Sequence, residues 1–148
     1  MNTHPYLRAF LAGVFVPTLV LPLILTGFII LRLILHVSVP IERGIIFPMA
    51  IVPCLFGLWN MLWLASHLRT HLAIGVHGAL LPIVMAPIGA VVASCLGILA
   101  LGATGVTLFQ VCEVPYALIA CGFVGVLAVY YLVWKYIVGF VNRTLGIA

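Results

Sequence analysis

Charge is the first thing this sequence lacks. Of its 148 residues only two are acidic, Glu42 and Glu113, and six are Lys or Arg. About a quarter of an average soluble domain is charged, because ionic side chains let a folded surface be wetted by water. At 5% charged and 66% hydrophobic residues, with a mean hydropathy of +1.41, this chain has no material for an aqueous shell. That excludes a soluble globular domain. It also excludes a nucleic-acid partner, since the net charge of +4 comes from cations set singly at the ends of apolar runs and forms no basic patch.

Chemical motifs are missing as well. The chain contains no G-x-S-x-G, no H-E-x-x-H and no glycine-rich phosphate loop. A carboxylate pair for acid/base chemistry would have to bring Glu42 and Glu113 together from two different connections. Cys54, Cys95, Cys112 and Cys121 show neither C-x-x-C nor zinc-type spacing. Three of them lie in apolar runs, where a free thiol packs as a small hydrophobe; Cys112, beside Glu113, is the exception. A cleavable leader is not expected either, because the first apolar run continues from Phe10 to Leu31 and meets Arg32, well beyond the about 7 to 15 residues of a signal core. These absences point away from an enzyme and name no cofactor.

What is present is hydrophobic length. Apolar runs at about 10–35, 45–66, 77–101 and 116–140 predict an all-α polytopic integral membrane protein, a single transmembrane domain built as a four-transmembrane-helix bundle. The connections HVSVPIERG, SHLRTH and GATGVTLFQVCEVP are too short to fold as aqueous domains. Alternating the spans places Arg8, Arg69, Lys135 and Arg143 on one side, with Arg32 and Arg43 on the other. The bias of Lys and Arg toward the cytoplasm then predicts both termini inside, and the small size with minimal loops suggests a bacterial inner (cytoplasmic) membrane. Tyr6, Trp59, Trp63, Trp134 and Tyr136 fall on the same side, where amphipathic rings settle at headgroup level.

Prolines recur in pairs five residues apart, Pro17 with Pro22, Pro48 with Pro53 and Pro82 with Pro87. An internal proline loses its hydrogen bond to the carbonyl four residues earlier and crowds it. Pro22, Pro53 and Pro87 are therefore the predicted helix kinks, freeing the carbonyls of Thr18, Met49 and Ile83.

Polar candidates are few. His67 and His71 are four residues apart, which predicts one helix face, and with His77 they offer imidazoles for a metal or haem. The plainer reading of the same residues is a polar rim touching lipid phosphate. Arg32, Glu42, Arg43 and Glu113 predict an ion-pair network on the opposite side, against the simpler outcome of Arg32 snorkelling to the interface. Asn60 is a carboxamide inside a span and is expected to hydrogen-bond across helices.

Small residues supply the strongest local pattern. Gly89, Ala93 and Gly97 on the third run, and Ala117, Cys121 and Gly125 on the fourth, recur every four residues and predict a tight seam between these two helices. A parallel row, Ala86, Ala90 and Ser94, leaves surface for a further helix from this chain or another.

The expectation is a non-catalytic membrane subunit or scaffold that packs against partner transmembrane helices in a homo- or hetero-oligomer, bathed in membrane lipids. The alternatives are a small transporter or channel using the carbonyls freed at kinks, and a histidine-based metal or haem protein.

Overall fold

The computed structural model of the chain describes residues 4–36 and 47–147. Helix α1 (Pro5–Ile29) runs on into a π-helical turn at Ile30–Ile34, and is followed by α2 (Phe47–Thr70) and α3 (Ile74–Cys95). Three short strands come next, β1 (Leu99–Leu101), β2 (Gly105–Leu108) and β3 (Cys112–Pro115). Helix α4 (Tyr116–Leu132), a second π-helical turn (Val133–Val138) and α5 (Gly139–Thr144) form one last continuous rod.

Among the described residues four helical segments are long and apolar enough to cross a membrane: Pro5–Ile34, Met49–Thr70, Ile74–Cys95 and Tyr116–Thr144. Their apolar side chains are not hidden, with Leu23 at 72% and Leu33 at 67% exposure. A helix that is apolar all round needs either protein or hydrocarbon around it. Here the protein is not there to provide it, so the four helices point to a membrane location. Each helix continues through its internal prolines, Pro17 and Pro22 in α1, Pro53 in α2, and Pro82 and Pro87 in α3.

The third apolar run does not stay helical to residue 101. Gly97 takes φ +68, and the N–H groups of Gly97 and Ile98 reach back to the carbonyls of Ser94 and Ala93 at 3.0 and 2.9 Å. This is the Schellman arrangement, in which a left-handed residue just past the helix satisfies its last carbonyls. The chain beyond it folds as an antiparallel meander, with Leu99 opposite Leu108 and Leu101 opposite Val106 on one side of β2, and Val106 opposite Val114 and Thr107 opposite Glu113 on the other. The fold is thus mainly helical, with a small sheet between α3 and α4 in place of the expected plain connection.

Two histidines end helices instead of lining them. His36 follows the first π-helical turn with φ 50, and His71 follows α2 with φ 49 while its N–H bonds to the His67 carbonyl at 2.9 Å. Histidine is among the few non-glycine residues enriched in this left-handed region. His67 and His71 consequently do not share a helix face, because the chain leaves the helix at Thr70. Replacing His71 with glycine should leave stability unchanged or slightly higher, whereas valine there should cost about 1 to 2 kcal/mol from its clash in that conformation. Equilibrium unfolding of the two variants in mixed micelles checks this, and an equal effect of both would rule out the backbone as the cause.

The helices pair as two hairpins. In α1/α2 the backbones nearly touch: a Cβ on Gly13 would collide with the Phe56 carbonyl, and one on Gly57 would lie 2.5 Å from the Phe10 ring. In α3/α4 a Cβ on Gly78 would enter the Trp134 side chain, and one on Gly75 would lie 2.9 Å from the Tyr131 ring. The hairpins meet around a core of Phe56, Leu81, Trp134 and Val138. The predicted seam lies elsewhere than expected, since a Cβ on Gly89, Gly97 or Gly125 would meet nothing within 4 Å. Ala117 and Cys121 on α4 are exposed, and Ala93 on α3 is only half-buried. Lipid-facing apolar helices have no hydrophobic preference for one side, so the seam forms where bulky rings happen to fit glycine gaps.

Candidate functional site

The most constrained region is a set of polar clamps at one end of the helices. Asn60 on α2 and Asn142 on α5 are both fully buried and bond reciprocally: Asn60 Nδ2 donates to Asn142 Oδ1 at 2.8 Å, and Asn142 Nδ2 donates to Asn60 Oδ1 at 3.1 Å. Asn60 Nδ2 also donates to the Ala9 carbonyl of α1 at 2.7 Å. Ala9 and Ala12 are themselves fully buried, and their small side chains leave room for this approach. One amide pair therefore ties three helical elements, and no buried polar atom in it is left alone.

The second clamp joins α2 to α3. Trp59 Nε1 donates to the His77 carbonyl at 2.8 Å, while the His77 ring Nε2 lies 3.0 Å from the Trp59 carbonyl. A carbonyl only accepts, so Nε2 carries the hydrogen. The two rings stack at 4.9 Å, and Trp63 Nε1 adds a bond to the Leu72 carbonyl at 3.3 Å. His77 is 5% exposed and committed to this clamp. His67 packs on Trp63 with ring centroids 4.9 Å apart, and its Nδ1 is buried without a hydrogen bond among the described residues. Among the described residues no three His, Cys, Asp or Glu side chains converge as metal ligands. The three imidazoles thus hold a stacking position, a staple and a helix end, with no shared centre.

Trp134 sets the position of Asn142 through an unusual stretch of helix. Trp134, Val138 and Asn142 are spaced four apart and are all fully buried. In an α-helix, four residues overshoot one turn by about 40°, so two such steps would carry Asn142 off the buried line. The π-helical turn, whose five-residue bond runs from the Gly139 N–H to the Trp134 carbonyl, has about 4.4 residues per turn and undershoots instead. The two errors cancel and put all three side chains on one line. No such alignment follows from the sequence spacing alone, and Asn142 lies beyond the predicted fourth span.

Away from the clamps the helices part. An apolar cleft of about 480 Å³ opens between α2 and α3, lined by Leu55, Phe56, Leu81, Met85, Gly89 and Tyr130 among others. A smaller space of about 210 Å³ lies between α1, α2 and α4. Phe56 and Tyr130, with ring centroids 5.6 Å apart, line both. Among the residues lining either space, the Tyr130 hydroxyl is the one side-chain polar group besides the Met sulfurs.

The expected ion-pair network is only partly in view. Glu42 and Arg43 lie outside the described residues. Glu113, on β3, accepts a bond from Thr104 Oγ1 at 2.5 Å, and Tyr116 Oη donates to the Gly102 carbonyl at 2.8 Å, so both residues brace the sheet. Arg32 sits in the π-helical end of α1. Lys135 places its ammonium 5.4 Å from the Tyr131 ring and 5.2 Å from the Tyr136 ring. The described cysteines, Cys54, Cys95, Cys112 and Cys121, are all free and exposed. Comparison with known proteins finds no matching family model, no similar curated protein and no similar solved structure.

Proposed function

We propose that the protein is a non-catalytic integral membrane subunit whose clamped end braces four transmembrane helices and whose open end receives a transmembrane helix of another polypeptide. The observation that carries this reading is the contrast between glycines. Gly13, Gly57, Gly75 and Gly78 are filled by neighbours, whereas a Cβ on Gly122 or Gly125 of α4 would meet nothing within 4 Å. Small residues let helix backbones approach closely, and Gly122 and Gly125 on α4 have no neighbour there among the described residues. Arg8, Arg69, Lys135 and Arg143 lie toward the Asn60 end, which favours that end being cytoplasmic, and the small size with minimal loops favours a bacterial inner membrane.

Purification from native membranes in a mild detergent should yield a stoichiometric polypeptide partner by mass spectrometry. Replacing Gly122 and Gly125 together with leucine should release that partner while leaving the melting temperature unchanged. A lone monomer from native membranes would overturn the proposal.

A second reading is a small transporter, supported by prolines that line the cleft and its neighbour, Pro82 and Pro17. It requires kinks at Pro22, Pro53 and Pro87 to expose carbonyls to a substrate. Unchanged flux in liposomes after alanine replacement of these three would dispose of it.

A further inference from the structure

The sheet between α3 and α4 has two edges, and they are built differently. At β1 the Gly102 N–H reaches the Gly105 carbonyl at 2.9 Å and the Ile98 carbonyl accepts from the Phe109 N–H at 2.7 Å, with Ala100 opposite Thr107 midway between them. In an antiparallel ladder, positions that exchange bonds with the neighbouring strand alternate with positions whose N–H and C=O point away from it. Ile98, Ala100 and Gly102 therefore turn their backbone groups toward β2, and Leu99 and Leu101 turn theirs outward. Among the described residues nothing bonds to either leucine from that side.

The other edge carries features that block strand addition. Because β2 uses Gly105 and Thr107 toward β1, it bonds β3 through Val106 and Leu108, which leaves Glu113 and Pro115 as the outward positions of β3. Proline has no N–H to offer an added strand, and a charge on an edge opposes pairing with a like copy. β1, with the sequence LAL, has neither a proline nor a charge. Its Ala100 and Leu101 are exposed, Leu101 at 74%.

Two N–H and two C=O groups in strand register accept an extended backbone, and the length of the edge selects which one. Gly97, at φ +68, ends the extended geometry on one side and the turn closed by Gly102 ends it on the other, so the open edge is three residues long. A longer foreign strand would run past both ends. A second copy of β1, laid antiparallel with the two Ala100 residues opposite each other, sets Leu99 of each copy against Leu101 of the other. Every outward donor and acceptor of both strands is then used, about one two-fold axis. The leucines meet in cross-strand pairs, the small Ala100 side chains allow the central approach, and no charge meets its own copy.

We infer that β1 is a self-pairing edge through which two copies of this chain join their sheets into one, antiparallel and centred on Ala100. Two copies held in one bilayer need little contact area for this, because confinement raises their effective concentration. The contact leaves Gly122 and Gly125 of α4 free, so it does not depend on the partner-helix reading.

Disulfide cross-linking in native membranes reads the register, once Cys54, Cys95, Cys112 and Cys121 have been replaced by alanine. Ala100→Cys should give a disulfide-linked dimer in about half of the chains or more under mild oxidation, because residues opposed at a non-hydrogen-bonded position sit about 4.5 Å apart, within disulfide reach. Leu101→Cys should cross-link about tenfold less, since it meets its own copy two residues out of register, roughly 8 Å away. Leu101→Pro removes one outward N–H per copy and no bond to β2. It should weaken dimerisation, measured by light scattering in mild detergent, about tenfold, with a melting temperature within a few degrees of the parent. Equal cross-linking in the Ala100→Cys and Leu101→Cys variants, or a dimer untouched by Leu101→Pro, overturns the proposal. So does cross-linking of the Ala100→Cys variant to a different polypeptide or to none, which would mean that another strand covers this edge or that it stays open.

Discussion

Replacing Asn60 with leucine should destabilise the protein by about 2 to 3 kcal/mol, one of the two largest effects of a single conservative change in this chain. Leucine repeats the branched outline of asparagine without its polar atoms, so the substitution isolates the hydrogen bonds from the packing. It removes the bonds to Ala9 and both bonds to Asn142, and leaves the Asn142 amide buried with nothing to pair with. Asn142→Leu should cost less, about 1 to 2 kcal/mol, because Asn60 keeps its bond to the Ala9 carbonyl. The decisive case is the double variant. With both amides gone no polar group is stranded, and its cost should fall below the sum of the singles by about 1 to 2 kcal/mol. Unfolding in mixed micelles measures all four corners of this cycle. Strict additivity would show that the two amides do not act as a pair.

An alanine at Gly78 should be at least as damaging, at about 3 kcal/mol, although it adds a single methyl group. That methyl would enter the Trp134 side chain, which is fully buried between Phe56 and His77 and has no room to retreat. Gly13→Ala should cost about 2 to 3 kcal/mol, since the obstacle there is the Phe56 backbone itself. The controls are Gly89→Ala and Gly125→Ala. Both should be neutral or stabilising by up to about 1 kcal/mol, because alanine is the better helix former and the added methyl meets nothing. If all four behaved alike, helix propensity and not inter-helix contact would govern these positions.

These two sets of variants also mark where sequence reading succeeds and where it fails. Asn60 was legible because a carboxamide in an apolar run stands out, and its need for a partner follows from the solvent. Its partner was not legible. Asn142 sits in VNRT, among polar residues that read as a solvated end, and only the π-helical turn brings it into line with Trp134. The contact glycines were hidden for a related reason. Gly13, Gly57, Gly75 and Gly78 do not recur at four-residue intervals, whereas the glycines of the regular rows on α3 and α4, Gly89, Gly97 and Gly125, would meet nothing within 4 Å among the described residues. Regularity describes one helix surface, but contact depends on what the opposite surface presents. Gly13 matters because Phe56 holds its carbonyl there, and nothing in the neighbourhood of Gly13 announces that.

The sheet shows the same limit within a single apolar run. Ile98 to Leu101 are as hydrophobic as the helix before them, so run length extended the third span past its end. The signals of a change were Gly97, Gly102 and Gly105, one stopping the helix and the others serving the turn into β2. In the sequence the histidines stand out as polar residues with the chemistry of candidate ligands. Backbone geometry at His71 and a committed hydrogen bond at His77 assign them to ending and stapling helices.

By itself the sequence determined the number of long apolar helices and the kind of surroundings they demand, because composition and run length act residue by residue and need no knowledge of neighbours. Tertiary structure alone decided which glycines are contacts, which amide answers Asn60, where α3 gives way to strands and where a cleft is left open. In hydrocarbon every apolar face is equally content, so burial cannot choose among them. The choice falls to shape fit and to the few polar groups that must find one another, and both are properties of pairs of residues far apart in the chain.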